Sequence, residues 1–483
     1  MAGLSGLALH VPRPRVGLDR WCEWTGASFD KVRAVVGDAF RVAARHDDVY
    51  GLSANAVLRL IERYDVDPAR VGYLVLATES SLDNAVGGPT VKGLVDLGLT
   101  KRGLPPLSRE LETFEMKQAC LSGVNGLLGA LRFVTTEPDR VAIVVAGDIA
   151  EYARGSSGEQ TQGAGAVAML VESDARLLQL DPRLVGRSAA DRVCDFRKPM
   201  RGESRGPIGR FAEARPPDYP AFAGHYSTHC YLDAVDHAFS DLLAKTDRSA
   251  SNLLEASAMV LQHRPYEKMP QTSLARMCLR AHLERDADRA RLEGLAAELG
   301  VSLSLAVEQL HARPDLARLA REQGVEVDPA PELGRLVRAF TKTESFRDFL
   351  ERKTGFGRSV VRQLGNLYAA SLPAWIGAAF EDARDRGAPL DGREVLLVGY
   401  GSGDASITLI GRVAAGWTEA AGRAGFAEAL EGAIDLSRDA YERNHDREAP
   451  VEVETRGEVG LTRVGAGDRG FDDRGVPYYA VAD

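Results

Sequence analysis

Cys120 is the residue whose surroundings most favour nucleophilic chemistry. It lies in FEMKQACLSGVNGLLGAL, where a strand-like run changes to a helix-like run rich in small residues. The unpaired N–H groups and the dipole at a helix start favour a thiolate over a thiol. The other four cysteines lie in Ala- or Arg-rich surroundings without such a turn. Cys120 is therefore a candidate nucleophile, and an inert buried cysteine is the alternative.

Glu79 and His263 are two further candidates, because each follows a run typical of a buried strand. Glu79 follows VGYLVLA, and a desolvated carboxylate at such a position is suited to act as a base. His263 follows the apolar run 258–261 and opens HRPYEKM. Ligands of open α/β sheets bind at the carboxyl ends of the strands, where all three candidates lie. An acidic residue opening a loop and a structural histidine remain the alternatives.

Two Gly-rich turns, at 161–170 and 400–406, let the backbone approach a ligand closely and offer N–H donors. Neither matches a dinucleotide fingerprint or a phosphate loop, so no nucleotide site is expected. The turns instead favour a narrow acyl pocket or an oxyanion hole. His225, His229 and His237 lack the spacing of a zinc set, so no metal site is expected either.

Strand-like and helix-like runs alternate along the chain, which predicts an α/β layer architecture. The second half repeats this alternation after a long Ala-, Leu-, Arg- and Glu-rich block. Pro314 and Pro331 mark helix starts in that block, for which we predict four or five helices. The other predicted elements are helices near 53–64 and 371–386 and strands at 71–77, 141–146, 164–171, 394–400 and 405–413, with a strand-to-helix change over 114–120.

The composition is that of an ordinary globular protein, with 45% hydrophobic and 27% charged residues among 483. A net charge of −9 argues against a nucleic-acid partner and against attraction to anionic membranes. No apolar run reaches the length of a membrane span, and the amino terminus does not have the charge order of a signal peptide. Five scattered cysteines without a CxxC pair indicate a reducing compartment, so a cytoplasmic location is expected.

The order and spacing of eight segments resembles that of the 3-hydroxy-3-methylglutaryl-CoA synthase family of the thiolase superfamily. The resemblance covers nearly the whole chain apart from the helical block and the carboxyl tail. The matching strings are ATES with Glu79, FEMKQAC with Cys120, AGDIAEYARGSSGEQTQGAGAVAML, DFRKP, YPAFAGHYSTHCYLDAVDHAF, QHRPYEKM with His263, GNLYAASL with Asn366, and YGSG with Ser402.

This resemblance implies a thiolase-like five-layer αβαβα fold made of two similar halves, and a homodimer. Residues 1–180 would form the amino-terminal half with the nucleophilic cysteine. Residues 181–270 and 356–483 would form the carboxyl-terminal half with the histidine and asparagine, and residues 271–355 a helical insertion or cap.

The resemblance also implies a Claisen-type condensation by an acyltransferase. Cys120 would be acetylated, and Glu79 would remove a methyl proton and later protonate the new alkoxide. The enolate would attack a 3-ketoacyl thioester positioned by His263, and hydrolysis would release the product. The substrates would be thioesters of coenzyme A or of an acyl carrier protein, with no resident cofactor.

Five residues would contact the substrate or its pantetheine arm by their motif positions: Thr161, Ser227, Lys268, Asn366 and Ser402. The backbone N–H groups of Cys120 and Ser402 would be the oxyanion donors. Lys268 would neutralise a phosphate.

Two departures from the family pattern concern the carrier of the acyl group. Ala223 stands where many members have an aspartate, and Thr272 where a second lysine is usual. The main alternative is therefore an acyl-carrier-protein-dependent synthase that adds β-branches to polyketides. A further alternative is another cysteine-dependent ketosynthase or acyltransferase of secondary metabolism. A non-catalytic scaffold is disfavoured, because the cysteine, histidine and glutamate are all present.

Overall fold

Uninterrupted runs of Val, Leu, Ile and Ala form the central strands, whose residues are buried on both faces. The computed structural model describes residues 1–81, 84–192, 194–197, 219–467 and 471–483. Its strands are β1 (Gly3–His10), β2 (Pro14–Gly17), β3 (Ala39–Arg41), β4 (Val71–Ala77), β5 (Glu112–Met116), β6 (Val141–Ala150), β7 (Gly163–Glu172), β8 (Leu178–Ala189), β9 (Ser257–Gln262), β10 (Glu394–Gly401), β11 (Ala405–Val413), β12 (Ile434–Asp435), β13 (Val459–Val464) and β14 (Pro477–Val481).

Amphipathic and buried helices cover these strands. They are α1 (Leu18–Thr25), α2 (Phe29–Val35), α3 (Val49–Tyr64), α4 (Gly87–Lys101), α5 (Ser122–Thr136), α6 (Gly224–Thr246), α7 (Ala250–Ala256), α8 (Lys268–Leu283), α9 (Asp286–Glu298), α10 (Leu303–His311), α11 (Leu316–Gln323), α12 (Pro331–Phe340), α13 (Glu344–Thr354), α14 (Arg358–Val361), α15 (Ser371–Asp385), α16 (Trp417–Gly422) and α17 (Arg438–His445). None of the helices in the described ranges is both long and apolar enough to cross a bilayer.

The main sheet contains the same strand arrangement twice. Its order is β5-β4-β6-β7-β1-β8-β11-β10-β9. In the first half β4 is parallel to β6, and β7 is antiparallel to both β6 and β1. In the second half β9 is parallel to β10, and β11 is antiparallel to both β10 and β8. The prediction of two similar halves is therefore confirmed, with β1 and β8 joined by a short antiparallel contact.

Helices pack on both faces of this sheet and between its halves. Helix α3 packs on β1, β6 and β7, whereas α6 packs on β8, β10 and β11. Helix α5 contacts β4 and β6 of the first half and β8 of the second, and α15 contacts β1, β7 and β9. These two helices form the middle layer of the thiolase-like αβαβα architecture that was predicted.

The helical block between residues 268 and 354 contains six helices, α8–α13, rather than the four or five predicted. Short connections, such as the one between α8 and α9, divide the block into more helices than its sequence pattern indicates. Helix α12 begins at Pro331 as predicted, and α11 begins just after Pro314, where the side chain of Asp315 caps it. Apolar residues of α9, α10 and α12 pack with α8 in one core. The division of the chain at residues 180, 270 and 356 stays a prediction.

Candidate active site

Glu79 and Cys120 meet at one edge of the sheet. Glu79 follows the last residue of β4 by two positions, and Cys120 follows the last residue of β5 by four. Because β4 and β5 are parallel neighbours, both residues lie beyond the same carboxyl edge. The thiol of Cys120 lies 3.8 Å from Oε2 of Glu79, as a donor to the carboxylate. The nucleophile and base candidates are therefore in direct contact.

The backbone around Cys120 is fixed by a tight turn before α5. Helix α5 begins at Ser122, as the change in sequence pattern predicts. The hydroxyl of Ser122 accepts from the N–H of Gln118 and donates to the carbonyl of Ala119, both over 2.7 Å. Ala119 has a positive φ of 46°, an unusual conformation for a non-glycine residue. This turn presents Cys120 at the amino end of a middle-layer helix.

Burial and negative charge hold the thiol of Cys120 in its protonated form. Burial is the largest cause that raises the pKa of Cys120 well above its usual value, followed by the charges of Glu79 and Asp148. The hydrogen bond to Glu79 and the charge of Asp195 act in the same direction. The helix start favours a thiolate, as expected from the sequence, but these effects outweigh it. The thiol therefore needs a proton acceptor, and Glu79 is the carboxylate in contact with it.

Asp148 is a buried carboxylate in β6 that the sequence analysis missed. Its Oδ1 accepts from the hydroxyl of Thr78 over 2.8 Å and from the N–H groups of Glu79 and Ser80 over 2.9 and 3.0 Å. Its Oδ2 accepts from the N–H of Ala369 over 2.9 Å. Asp148 thus connects the Glu79 loop to the second half of the molecule. A single acid inside the apolar run VAIVVAGDIA was the available signal.

Asn366 and Thr161, two of the predicted substrate contacts, lie next to each other. The N–H of Asn366 donates to the carbonyl of Thr161 over 3.0 Å. The Oδ1 of Asn366 accepts from the N–H of Tyr368 and from the hydroxyl of Ser371 over 3.0 and 2.9 Å. Because its oxygen is used in this way, the buried amide presents its NH₂ group as the donor toward a ligand.

His263 is buried without a partner for its ring. It follows β9, and its N–H donates to the carbonyl of Val398 in β10 over 2.7 Å. The side chain is 1% exposed, and neither ring nitrogen has a hydrogen-bond partner among the described residues. Burial lowers the pKa of His263 to about 3, so the imidazole is neutral at physiological pH. A neutral ring with an unused N–H is suited to bind a substrate carbonyl.

Ser402 lies in the turn after β10, close to the Cys120 segment. The neighbouring Gly401 packs so tightly there that a Cβ atom would lie 2.5 Å from the carbonyl oxygen of Gln118 and 2.8 Å from Cβ of Leu121. Since β9 and β10 are parallel, His263 and Ser402 extend from the same edge of the second half. The structure thus places the ends of both half-sheets at the start of α5.

An aromatic cluster surrounds Cys120, although no sequence pattern indicates it. Tyr152 and Tyr368 form one buried apolar cluster with Cys120, and Phe196 and Phe222 pack against it. The ring centroid of Phe196 lies 5.9 Å from that of Tyr152 and 5.8 Å from that of Tyr368. Such walls exclude water from the thiol and suit a small acyl group.

Ser227 and Lys268 lie in the first turns of α6 and α8. The hydroxyl of Ser227, in the first turn of α6, is buried and has no hydrogen-bond partner in the described part of the chain. Tyr231, one turn later on the same face, donates to the carbonyl of His263 over 3.0 Å. Lys268 is exposed at the start of α8. The segment 263–268 therefore leads from the buried histidine to the surface.

Three buried groups beside this site have the spacing of metal ligands. Ligand atoms of Asp195, Cys230 and Asp404 lie within 4.8 Å of one another. However, Arg192 forms an ion pair with Asp404, and Asp195 accepts hydrogen bonds from Tyr400 and from the protein backbone. Arg192 thus already supplies a positive charge to this cluster.

The fold and the buried Cys–Glu pair, with His and Asn from the second half, define a thiolase-like condensing acyltransferase. Two family models match, described as the N-terminal and C-terminal parts of hydroxymethylglutaryl-coenzyme A synthase. They match residues 2–176 and 214–448. The chain belongs to the hydroxymethylglutaryl-CoA synthase family.

Individual relatives agree with this assignment. The chain is 27% identical over 431 residues to the hydroxymethylglutaryl-CoA synthase of Haloferax volcanii, covering 87% of this chain and 86% of the relative. It resembles the structure of MvaS in complex with 3-hydroxy-3-methylglutaryl coenzyme A, with a TM-score of 0.75, 25% identity and coverage of 100% and 99%. The fold is also that of the curacin pathway HMG synthase in complex with holo donor-ACP, with a TM-score of 0.70, 18% identity and full coverage of both chains.

Proposed function

We propose that this enzyme joins an acetyl group, held on Cys120, to a 3-ketoacyl thioester and releases a 3-hydroxy-3-methylglutaryl-type product. The observation that carries the proposal is the 3.8 Å contact between Cys120 and Glu79 in a buried aromatic pocket. The supporting observation is the neutral imidazole of His263, whose ring has no hydrogen-bond partner among the residues that the structure describes.

In the first step the thiol of Cys120 attacks the carbonyl carbon of an acetyl thioester. Glu79 accepts the thiol proton and passes it to the departing carrier thiol. The acyl–sulfur bond to the carrier breaks, and a new acyl–sulfur bond to Cys120 forms. The backbone N–H groups of Cys120 and Ser402 stabilise the oxyanion of the tetrahedral intermediate.

In the second step Glu79 removes a proton from the methyl group of the acetyl-enzyme. The enolate carbon bonds to the 3-keto carbon of the acceptor, and Glu79 returns the proton to the new alkoxide. His263 donates its N–H to the acceptor carbonyl. Water then cleaves the bond to Cys120, which gives a free carboxylate and restores the thiol.

The remaining predicted residues bind the acceptor and its arm. Asn366 offers its NH₂ group, and Thr161 holds Asn366 through its carbonyl. The hydroxyl of Ser227, which has no partner within the described ranges, lies on the face of α6 that also contacts His263. Exposed Lys268 is suited to a phosphate at the entrance.

An acyl carrier protein is the second candidate for the thioester carrier. The likeness to an HMG synthase solved with donor-ACP favours it, as do Ala223 and Thr272 at positions where the family pattern has charged residues. We further propose a homodimer in the cytoplasm. Apolar Val86, Leu97 and Leu104 are each at least 40% exposed beside the edge strand β5, which supports association.

Intact-protein and peptide mass spectrometry tests this proposal. Incubation with an acetyl thioester is expected to add about 42 Da to the Cys120 peptide, as covalent catalysis requires. Exposed Cys194 is the internal control for non-specific acetylation. An adduct formed with acetyl-CoA supports coenzyme A as the thioester carrier. An adduct formed only with acetylated acyl carrier protein supports the carrier protein. No adduct from either donor overturns the acetyl-transfer mechanism.

A Glu79→Ala variant separates the two steps. Acetylation of Cys120 should persist, because loss of the nearby negative charge makes the thiol more acidic and offsets loss of the base. Condensation should fall by about 10²–10⁴-fold, the usual effect of removing a general base. Condensation at the wild-type rate would show that Glu79 is not the base.

A further inference from the structure

The turn at residues 401–404 carries Ser402, and a short neighbouring segment holds this turn in place. The N–H of Asp404 donates to the carbonyl of Ala190 over 2.8 Å, and the N–H of Arg192 donates to the carbonyl of Gly403 over 2.9 Å. The N–H of Gly403 also donates to Oδ2 of Asp195 over 2.8 Å. The turn rests on the Cys120 segment on its other side, as the tight packing of Gly401 shows. A shift of Ala190, Arg192 and Asp195 would therefore move Ser402 relative to the thiol.

A buried ion pair fixes this junction. Nε of Arg192 lies 3.1 Å from Oδ2 of Asp404, and the two side chains are 6% and 0% exposed. The other end of the Arg192 guanidinium pairs with Asp233 on α6. Helix α6 also carries Ser227, so one side chain links the two elements that hold predicted substrate contacts. The planar guanidinium fixes direction as well as distance, unlike a lysine.

We propose that the Arg192–Asp404 ion pair is a positioning device that holds the Ser402 turn at the reacting centre. A buried ion pair is a weak source of stability, because apolar residues of similar size often stabilise a protein as well. The ion pair lies directly behind the Ser402 turn, so positioning of this turn explains it better than a gain in stability does. The inference rests on the proposed function, since it assigns Ser402 a role in the same reaction.

The charges around Asp404 give this device a dependence on pH. Asp404 faces Arg192 and Asp195 from the adjoining segment, Asp233 and Cys230 from α6, and Tyr400 from β10. Burial raises the pKa of Asp404 to about 7, the positive charge of Arg192 opposes this shift, and the two other carboxylates add to it. The ion pair is therefore fully charged only above pH 7.

Asp404→Asn removes the charge while keeping the shape of the side chain. Above pH 7 the variant should lower kcat for condensation by about 10–100-fold, the effect of a misplacement on the ångström scale, and should change KM much less. The ratio of wild-type to variant kcat should shrink toward one as the pH falls below 7, because wild-type Asp404 is then neutral too. A purely structural role would leave this ratio flat across the pH range.

The matched control is Glu394→Gln, which removes an ion pair with Arg248 at the opposite end of the same strand, β10. It should leave kcat unchanged. Arg192→Lys keeps the positive charge and should recover part of the activity that Arg192→Gln loses. Melting temperatures of all variants establish which of them are folded.

Asp233→Asn is the second route if Asp404→Asn does not fold, because it removes the other anchor of Arg192. Asp233→Asn should also lower kcat, but by a smaller factor than Asp404→Asn. A folded Asp404→Asn variant with the kcat of the wild type would overturn the positioning role. If Asp404→Asn does not fold, wild-type kcat in both Asp233→Asn and Arg192→Lys would overturn it. A flat pH ratio for Asp404→Asn would do the same. Failure of the proposed function itself would appear separately, as a wild-type protein that no acetyl thioester labels on Cys120.

Discussion

At the residue scale, the contact between Cys120 and Glu79 couples the charge of the carboxylate to the reactivity of the thiol. A buried thiol beside an ionised carboxylate resists losing its proton, because the second negative charge would lie in the same low-dielectric pocket. The free protein is therefore expected to hold Cys120 as the thiol. In the proposed mechanism the thiol becomes a nucleophile when an acetyl thioester is present to receive the charge.

Glu79→Gln should therefore raise the reactivity of Cys120 toward small alkylating reagents. The substitution removes the largest charge effect that raises the pKa of the thiol, although burial remains. Iodoacetamide labelling, followed at mildly alkaline pH by peptide mass spectrometry, should be several times faster at Cys120 than in the wild type.

Two cysteines in the same chain serve as controls for this measurement. Exposed Cys194 should label at the same rate in both proteins, and buried Cys278 should stay slow in both. Slower labelling of Cys120 in the variant would mean that Glu79 acts on the thiol mainly as a base and not through its charge.

His263 should make the enzyme sensitive to acid. The pKa of its buried ring is about 3 in the folded protein, against 6.5 for an unperturbed histidine. The unfolded chain therefore binds a proton below pH 6.5 that the folded protein does not bind. Stability from this residue is complete above 6.5 and falls as the pH drops toward 3, by up to about 1.4 kcal/mol per pH unit.

A His263→Gln variant should lose less stability than the wild type between neutral and mildly acidic pH. Chemical denaturation at a series of pH values measures the slope. His237→Gln is the matched control, because that histidine is exposed on α6 and its removal should leave the slope unchanged. Parallel slopes for wild type and His263→Gln would contradict a neutral buried ring.

At the element scale, the site depends on the close approach of α5 to the turn before α15. Gly123 makes this approach possible, since a Cβ atom there would lie 2.5 Å from the carbonyl oxygen of Ala369 and 3.2 Å from Cβ of Ala146. A backbone carbonyl cannot move away as a flexible side chain can. The two middle-layer helices are thus fitted to each other directly behind Cys120.

Gly123→Ala should destabilise the protein by about 1–3 kcal/mol, the usual cost of overpacking, and should slow acetylation of Cys120. Gly93→Ala on α4 is the control, because nothing lies within 4 Å of its added Cβ. That variant should be more stable by about 0.5–1 kcal/mol, as expected for alanine within a helix. Both variants are compared by thermal unfolding and by the rate of Cys120 acetylation. Equal stability of the two variants would contradict the tight fit at Gly123.

Local sequence signals predicted most of the elements that position the site. Strand β11 has the predicted bounds, and β4 matches its apolar run. Helix α3 begins at Val49 rather than near residue 53, because Asp48 caps it by accepting from the N–H of Gly51. Strand β5 begins and ends earlier than its run suggested, since its half-exposed residues carry a weak hydrophobic pattern. Element type thus followed from composition, whereas boundaries depended on individual caps.

The site was predictable only where its residues follow strands directly. Glu79, Cys120 and His263 could be selected as candidates because each lies just past a strand-like run. Asp148 and the Arg192–Asp404 pair could not, because their partners lie far away in the sequence. Sheet register and layer packing bring such groups together, and neither can be read from local composition.

At the scale of the whole molecule, the duplicated sheet explains why the site lies between the halves. Cys120 comes just before α5 and Asn366 just before α15, so each half supplies a polar residue near the start of its middle-layer helix. Glu79 follows β4, and His263 follows β9, the strand with the same position in the second half. In the proposed mechanism the nucleophile and base thus come from the first half, and the acceptor-binding groups from the second.

The same sheet order leaves β5 at one edge of the molecule. The opposite edge strand, β9, is covered by α13, whereas β5 has no strand on its outer side among the described residues. Exposed edges promote association, and apolar Val86, Leu97 and Leu104 lie on or next to α4, which packs on β5. The predicted homodimer should therefore form through this edge.

Light scattering during gel filtration should give twice the chain mass of 52.1 kDa for the wild type. A Leu97→Glu, Leu104→Glu double variant should shift the protein toward the monomer, because charges at an apolar contact lose hydration without gaining partners. Leu305→Glu on α10 is the matched control, since Leu305 and Leu97 are both 40% exposed but only Leu97 lies beside β5. A wild-type protein that stays monomeric at high concentration would contradict the dimer. A dimer unaffected by the double variant would place the interface on another face.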